Sequence, residues 1–397
     1  MSEKLLFIVN NLDYFLSHRL AVGASARHAG YDVFVAAPQA TPEALEKLQE
    51  AGLAFYPLPL SRKGTNPLAE LVLLAAIIRL VRDVRPSIMH CVTVKAYLYG
   101  GVAARICRVP GLVSAVAGLG ILFGDTVDRK RRVAIRVLRG FLFPLYKYAF
   151  GHKNQCVIVQ NDDDRRVLES WGVLPAGKAV LIRGAGVAIA DYPCLPEPDG
   201  TPVISLAARL LRDKGVYDFV QAAYIVKARG IDADFRLIGA PDPGNPHSVT
   251  DAEIDRWRVE GVISALGFRT DIAALYAGSH IICLPSYYRE GLPKALIEGA
   301  ACGRAVVTTD HPGCRDAILP GKTGMLVPPR NPAALADALC HLIEHPDIRQ
   351  KMGREGRRFA EENFAIEHVI SEHLRIYHDL CDGKNSTVMP AVSRQAN

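Results

Sequence analysis

The sequence predicts an α/β chain folded as two doubly wound domains, each a parallel sheet covered on both faces, opening onto a central cleft. Short unbroken apolar runs alternate with segments of helical period, as buried parallel strands and their crossover helices do. The alternation stops at a stretch rich in Pro, Asp and Gly (191–202) and then restarts. A chain of 397 residues is long enough for two cored domains at roughly 100–200 residues each.

In the first half, strands are expected at 5–9, 31–36, 54–58, 87–91, 112–116 and 156–160. Helices are expected at 16–29, 43–51, 68–84 and 96–107. In the second half, strands are expected at 203–207, 234–238, 261–265, 281–284, 305–308 and 324–327, with helices at 217–229, 271–277, 293–301 and 332–344. The expected organisation is therefore a first Rossmann-like domain at 1–190, a linker at 191–202 and a second such domain at 203–368. A C-terminal helix at 369–380 should pack back towards the first domain. The polar, pattern-free tail from 381 is expected to be disordered.

Composition narrows the function classes. Apolar residues make up 49% and charged residues 22%, the balance of a globular chain. No run of 18 apolar residues occurs, and the first eleven residues lack the basic start and cleavage site of a signal peptide, resembling a first strand instead. The nine cysteines are scattered without C-x-x-C spacing, which argues against a zinc ribbon, a redox motif and a disulfide scaffold. Reduced thiols point to a cytoplasmic protein.

The net charge of +6 is uneven: residues 1–180 hold 23 Lys/Arg against 14 Asp/Glu. Much of the excess lies in 129–153, which contains no acid and interleaves Arg129, Arg131, Arg132, Arg136 and Arg139 with aliphatic and aromatic residues. Such a stretch around 129–150 suits an anionic membrane surface. A core helix with a solvated basic rim is the competing account. Nucleic acid is a weaker third, since no recognised binding motif accompanies the charge.

Two segments carry the chemistry. In 284–298 a strand ends, a loop follows, and Pro293 is placed as the first residue of a helix. Backbone N–H groups at Gly291, Leu292 and Lys294 would then form an anion and hydroxyl cradle at the positive helix end. Glu290 and Glu298, eight residues apart, should lie roughly 12 Å apart or a little less. That is too far to work on one bond as an acid/base pair and suits two ends of an extended ligand. A capped surface helix with incidental acids is the plain alternative. In 207–215, Arg209 and Lys214 flank a strand-to-helix turn and could hold a diphosphate through charge-assisted hydrogen bonds, or be solvated surface charges. Gly239 and the turn at Arg269 sit in further loops at strand ends. Asp162, Asp163 and Asp164 resemble a metal-binding run, but Asn161 before them marks a helix start where acids stabilise the dipole.

The E-x7-E element Glu290…Glu298, the segment 208–215 and the later 311–328 together resemble the family-four retaining glycosyltransferases of GT-B fold. In the first half, 17–19, 59–67, 89–95 and 118–120 resemble the subgroup that adds N-acetylgalactosamine or a related sugar to a sugar-diphospho-undecaprenol in bacterial glycan assembly. The resemblance implies that Arg209 and Lys214 bind the donor diphosphate and stabilise it as leaving group. It implies that Glu290 contacts donor-sugar hydroxyls, with Gly291, Leu292 and Pro293 beside it. Glu298 would bind the ribose and the turn at Arg269 the base, usually uracil. Arg209, Lys214 and Glu290 are thus the expected catalytic residues. No metal or other cofactor is implied beyond a UDP-sugar co-substrate. The loop at 10–13 lacks the glycine pair of many relatives, and no histidine stands near Ala117 and Gly118.

On the acceptor side, His18, Arg19, Thr93 and Lys95 are candidates for a polyprenyl diphosphate, and His90 is either a fifth or a satisfied core histidine. The expected activity is retaining transfer of a hexosyl or N-acetylhexosaminyl group (GalNAc, GlcNAc or Gal) from a UDP-sugar to an undecaprenyl-diphosphate-linked sugar, on the inner membrane face. Two rivals remain: a UDP-sugar epimerase of the same architecture and a silent module that binds lipid-linked glycan.

Overall fold

The computed structural model describes residues 2–60, 66–119, 140, 142–174, 177–242 and 244–383. The chain divides into two compact units. Unit 1 runs to Ala185 and resumes at Glu367; unit 2 is Gly186–Ile366.

Unit 1 is built on seven parallel strands: β1 (Lys4–Val9), β2 (Asp32–Ala37), β3 (Ala54–Pro57), β4 (Ile88–Val92), β5 (Gly111–Val116), β6 (Gln155–Val159) and β7 (Ala179–Leu181), in the order β3-β2-β1-β4-β5-β6-β7. Every residue of β4, β5 and β6 is buried, so these strands are apolar on both faces, broken only by His90, Ser114 and Gln155, without the alternation of a one-sided sheet. The helix expected at 16–29 is two helices, α1 (Leu12–His18) and α2 (Leu20–His28), broken at Arg19, whose backbone leaves the helical region at φ −135° and ψ −9°. The Asn11 side chain caps α1 by accepting from the Tyr14 N–H at 3.0 Å. Next come α3 (Pro42–Glu50), α4 (Pro67–Val84), α5 (Val94–Cys107), α6 (residues 142–149) and α7 (Asp162–Ser170). Asn161 caps α7, and the acids Asp162, Asp163 and Asp164 occupy its first turn, where they complement the dipole.

Within the basic stretch, residues 129–139 lie outside the described residues. Of the described part, Tyr146 and Phe150 are 3% and 1% exposed and belong to the unit 1 core, with Leu142, Phe143 and Leu145 packed against it. The amphipathic pattern over 142–150 thus comes from a core helix.

Unit 2 carries six parallel strands: β8 (Val203–Ala207), β9 (Asp234–Ile238), β10 (Ser264–Gly267), β11 (Ile281–Leu284), β12 (Ala305–Thr309) and β13 (Gly324–Val327), in the order β10-β9-β8-β11-β12-β13. Around them lie α8 (Val216–Ala228), α9 (Asp251–Val259), α10 (Ile272–Ala277), α11 (Lys294–Ala301), α12 (Pro332–Glu344) and α13 (Pro346–Asn363). The core is filled by fully buried side chains such as Leu206, Phe219, Leu237, Ile281 and Val306. Each is worth about 1.5–3 kcal/mol relative to exposure.

The segment at 191–202, expected as a linker, is part of unit 2, held by three arginines. Arg349, on α13, makes a two-pronged ion pair with Glu197 at 3.0 and 2.8 Å. Arg304, 2% exposed, donates to the Leu195 and Pro196 carbonyls, and Arg357 donates to that of Tyr192 at 2.7 Å. A proline-rich segment outside any strand or helix keeps its carbonyls free, and guanidinium groups satisfy them. The entering and leaving chains of unit 2 run side by side there, Val187 pairing with Ala365.

The last helix, α14 (Ile366–Cys381), packs in unit 1. It brings His373 and Tyr377 against His90: His90 Nδ1 lies 2.6 Å from the Tyr377 hydroxyl, and the two imidazoles stack at 5.5 Å. Burial, helped by the nearby Arg19 charge, pushes the His373 pKa down to about 3 and holds His90 well below its ordinary value. The unfolded chain therefore takes protons between pH 6.5 and about 3 that folded unit 1 refuses. Stability is complete above that window and declines as pH falls through it. The urea midpoint of unit 1 should drop from pH 7.5 to pH 5, and by less in His373→Gln. An equal drop in both proteins would assign the acid sensitivity to other groups.

Candidate functional site

In unit 2 the strand order reverses between β8 and β11, the point at which open α/β sheets bind ligands outside the carboxyl ends of their strands. Both chemistry-bearing segments leave those two strands. The Asp213 carbonyl, in the loop after β8, accepts from the Tyr287 and Tyr288 N–H groups of the loop after β11, at 3.0 and 3.1 Å. Gly215 makes the close approach possible. Its φ is +77°, and a Cβ there would stand 2.1 Å from the Pro285 carbonyl oxygen.

With the loops joined, Lys214 Nζ meets Glu290 Oε2 at 2.5 Å, and the Ser286 hydroxyl donates to Glu290 Oε1 at 2.7 Å. The side chains of Lys214 and Glu290 are 15% and 11% exposed. Arg209, half exposed on the same loop as Lys214, pairs with Asp242 at 3.2 Å. It also faces Tyr288: burial and the Glu290 charge raise the Tyr288 pKa, and Arg209 opposes them. The Asp213 carboxylate lies 2.6 Å from His247 Nδ1. The loops after β8, β9 and β10 are joined in turn: Gly239, at φ +146°, leaves room for the Ala208 carbonyl and donates its N–H to Gly267 at 2.8 Å.

Pro293, expected as the first helical residue, is instead the N-cap of α11, with ψ at 119°, and the helix starts one residue later at Lys294. Gly313 supports the preceding turn from the segment 311–328, since a Cβ there would fall 2.3 Å from the Gly291 carbonyl oxygen and 2.6 Å from that of Glu290. The Leu292 side chain is buried. Glu298 is held apart from Glu290 by other partners, the Tyr192 hydroxyl at 2.5 Å and Lys294 Nζ at 3.2 Å. Arg269 forms a fork with Asp271 at 2.8 and 2.6 Å and is exposed.

Lys214, Glu290 and Arg209 therefore share one rim, whereas Glu298 and Arg269 are fixed in arrangements of their own. Ser286, Asp213, His247 and Tyr192 were not singled out from the sequence. Ser286 stands four residues before Glu290, a spacing without meaning until the loop is folded. Nothing in the sequence connects Asp213 with His247 or Tyr192 with Glu298.

In unit 1 the corresponding reversal lies between β1 and β4. Thr93, at the end of β4, has φ +78° and a buried Oγ1 without a hydrogen-bond partner, and α5 starts there without a side-chain cap. Lys95 Nζ lies 2.5 Å from Glu70 Oε1. His18 stacks on Tyr14 at 4.2 Å and its Nδ1 is 2.7 Å from the Ser17 hydroxyl. Arg19 and His90 need correction as acceptor contacts. They are 1% and 0% exposed and face the α14 cluster, so neither presents surface to a bulky diphosphate. Residues 61–65 and Gly120 lie outside the described residues.

Two doubly wound units, the second with a cation pair and a carboxylate at its switch point, are the arrangement expected of the GT-B architecture, and the comparisons with known proteins supply the class. A family model described as "Glycosyl transferase 4-like" matches residues 4–161, and one described as "Glycosyl transferases group 1" matches residues 201–345. Both models describe glycosyl transferases, one over each half of the chain, and place the chain among the glycosyltransferases.

Among curated proteins it is 26% identical to the Campylobacter jejuni N,N'-diacetylbacillosaminyl-diphospho-undecaprenol alpha-1,3-N-acetylgalactosaminyltransferase, across 91% of this chain and 97% of that protein. It is 23% identical to the capsular polysaccharide biosynthesis glycosyltransferase CapM of Staphylococcus aureus, across 78% and 81%. Among solved structures, Anabaena HepE in complex with UDP superposes with a TM-score of 0.73 at 18% identity, covering 95% of this chain and 100% of that one. Sucrose-phosphate synthase from Thermosynechococcus elongatus gives 0.76 at 17% identity, covering 96% and 100%.

The loop junction is testable at its glycine. Gly215→Ala should cost unit 2 several kcal/mol, combining the left-handed penalty of about 1–2 kcal/mol with the clash on Pro285. Gly230→Ala, at φ +75° with nothing within 4 Å of the added carbon, should cost only the first term. Equal losses for the two variants in denaturant unfolding would show that the junction does not constrain the loop.

Proposed function

We propose that the chain moves a hexosyl or N-acetylhexosaminyl group from a UDP-sugar to an undecaprenyl-diphosphate-linked sugar, with retention at the anomeric carbon. The observation that carries this is the Lys214–Glu290 pair at 2.5 Å on the rim shared with Arg209, at the switch point of unit 2. The activity for which the Campylobacter relative is named supports the acceptor class, and the UDP bound to HepE supports the donor class.

In this reading Arg209 and Lys214 take the donor diphosphate. Breaking the bond between the anomeric carbon and the phosphate oxygen builds negative charge on the diphosphate, and a preset cation pair stabilises that charge without reorganisation. Glu290, braced by Ser286, accepts from donor-sugar hydroxyls, with Gly291 and Leu292 supplying backbone N–H groups. Glu298 accepts from the ribose hydroxyls, and the turn at Arg269 reads the base. The acceptor hydroxyl attacks from the leaving-group side and passes its proton to the departing phosphate oxygen, so no protein nucleophile is needed. No metal ion takes part in this scheme. Lys95 and His18 are the acceptor-side candidates with surface to offer, and the buried Thr93 hydroxyl stands beside them at the end of β4.

Membrane contact belongs to the same proposal. No helix among the described residues is long and apolar enough to cross a bilayer, and the basic run at 129–139 would instead bind an anionic surface from the cytoplasmic side.

A donor screen with a lipid-linked acceptor, followed by mass spectrometry, tests the activity. One UDP-hexose or UDP-N-acetylhexosamine should add a single sugar mass, and Lys214→Ala should lose about 2–4 kcal/mol of transition-state stabilisation. Undiminished turnover in that variant would overturn the diphosphate assignment. Replacing Arg131, Arg132 and Arg136 with Gln should release the protein from anionic vesicles at physiological salt. Unchanged co-sedimentation would move the contact elsewhere.

A further inference from the structure

Unit 1 holds a hollow of about 340 Å³ at the carboxyl ends of β1 and β2, one strand removed from the reversal between β1 and β4. Asn10 and Asp13 line it from the loop after β1, and Gln39 from the loop after β2. Leu12, Ala44 and Leu60, each about 5% exposed, provide apolar wall. The volume is at the lower end of small-ligand pockets and suits one ring better than a nucleotide.

The polar lining divides into two groups. Asn11 and Thr41 are committed, capping α1 and α3 through the Tyr14 and Ala44 N–H groups. Among the described residues, the side chains of Asn10, Asp13 and Gln39 make no hydrogen bond or ion pair. Two amides each offer donors and an acceptor, and the carboxylate accepts two hydroxyl protons. No Lys, Arg or His lines the hollow. A phosphate would meet the Asp13 charge without a counter-charge, at a Coulomb cost that grows as water leaves. A neutral ring dense in hydroxyls, with a C–H face for Leu12 and Leu60, matches every wall.

We propose that this hollow seats one sugar unit of the acceptor, with Asn10, Asp13 and Gln39 selecting it by hydrogen bonds to its hydroxyl or acetamido groups. The inference rests on the acceptor class proposed above, and it goes further by assigning recognition of the acceptor's carbohydrate to residues distinct from those at the end of β4. Discrimination by such groups is strong, because a sugar with a hydroxyl missing or inverted leaves a desolvated amide unpaired.

Binding can be measured without turnover. Saturation-transfer NMR on the full chain with UDP present, using methyl glycosides of hexoses and N-acetylhexosamines, should show contact by at least one glycoside. That contact should vanish in the Asn10→Ala/Gln39→Ala double variant, whose unfolding midpoint serves as the folding control. In steady-state assays each single variant, and Asp13→Asn, should raise the KM for the lipid-linked acceptor about tenfold, the loss of one hydrogen bond, leaving the donor KM and donor-only hydrolysis unchanged. A silent wild type towards every glycoside, displacement of the sugar by inorganic phosphate, or a rise in donor KM alone would each overturn the assignment. If the wild type turned over no UDP-sugar, the enzymatic reading would fall, and the NMR result would still decide the pocket.

Discussion

The site depends on one close approach. The loop leaving β8 and the loop leaving β11 touch at Gly215 and Pro285, and without that contact Lys214 would have no fixed relation to Glu290. A glycine is required there by both its left-handed backbone and the absence of space for a Cβ. The Asp213 carbonyl then ties down two N–H groups of the tyrosine pair that precedes Glu290. The resulting ion pair sits at 15% and 11% exposure, where a charge-assisted contact is less screened than on the open surface. A cation held this way needs little reorganisation when negative charge develops beside it, which is the physical requirement for stabilising a diphosphate leaving group.

Buried charge recurs away from the site, with another purpose. Arg304, Arg349 and Arg357 spend guanidinium donors on backbone carbonyls and on Glu197, fastening a proline-rich segment to unit 2. In unit 1, Arg19 is 1% exposed and lies beside two histidines that it helps to keep neutral. The cluster fixes α14 against β4 and couples that helix to pH. Breaking a buried ion pair by removing one partner generally costs about 3–5 kcal/mol, so the Arg349–Glu197 pair holds the 191–202 segment firmly in place.

The polar groups of unit 1 divide into a buried set packed against α14 and a set left uncommitted at the carboxyl ends of the strands. His90 and Arg19 went inward. Thr93 stayed at the strand end with a strained backbone and an unsatisfied hydroxyl, and strain of this kind persists only where surrounding structure enforces it. Asn10 and Gln39 remained uncommitted around a hollow with apolar walls. A single sequence contains a histidine, an arginine or an asparagine in each case, and only packing decides which of them meets solvent.

All the strands but β7, most of the helices and the two-unit plan were legible in the sequence, because a buried parallel strand writes itself as a largely apolar run and its crossover helix as a 3.6-residue period. The pairing of Lys214 with Glu290 was legible only as two suggestive segments 76 residues apart. Local patterns gave no sign of the break at Arg19, of Arg304 and Arg349 fastening 191–202, of Ser286 bracing Glu290 or of Tyr192 on Glu298. Those features join residues distant in sequence or depend on a folded loop, and neither spacing nor composition records them. Local periodicity is a property of neighbours along the chain and is complete before folding. The direction in which a side chain points, and what meets it there, exists only once the sheet order has brought β8 beside β11 and β1 beside β4.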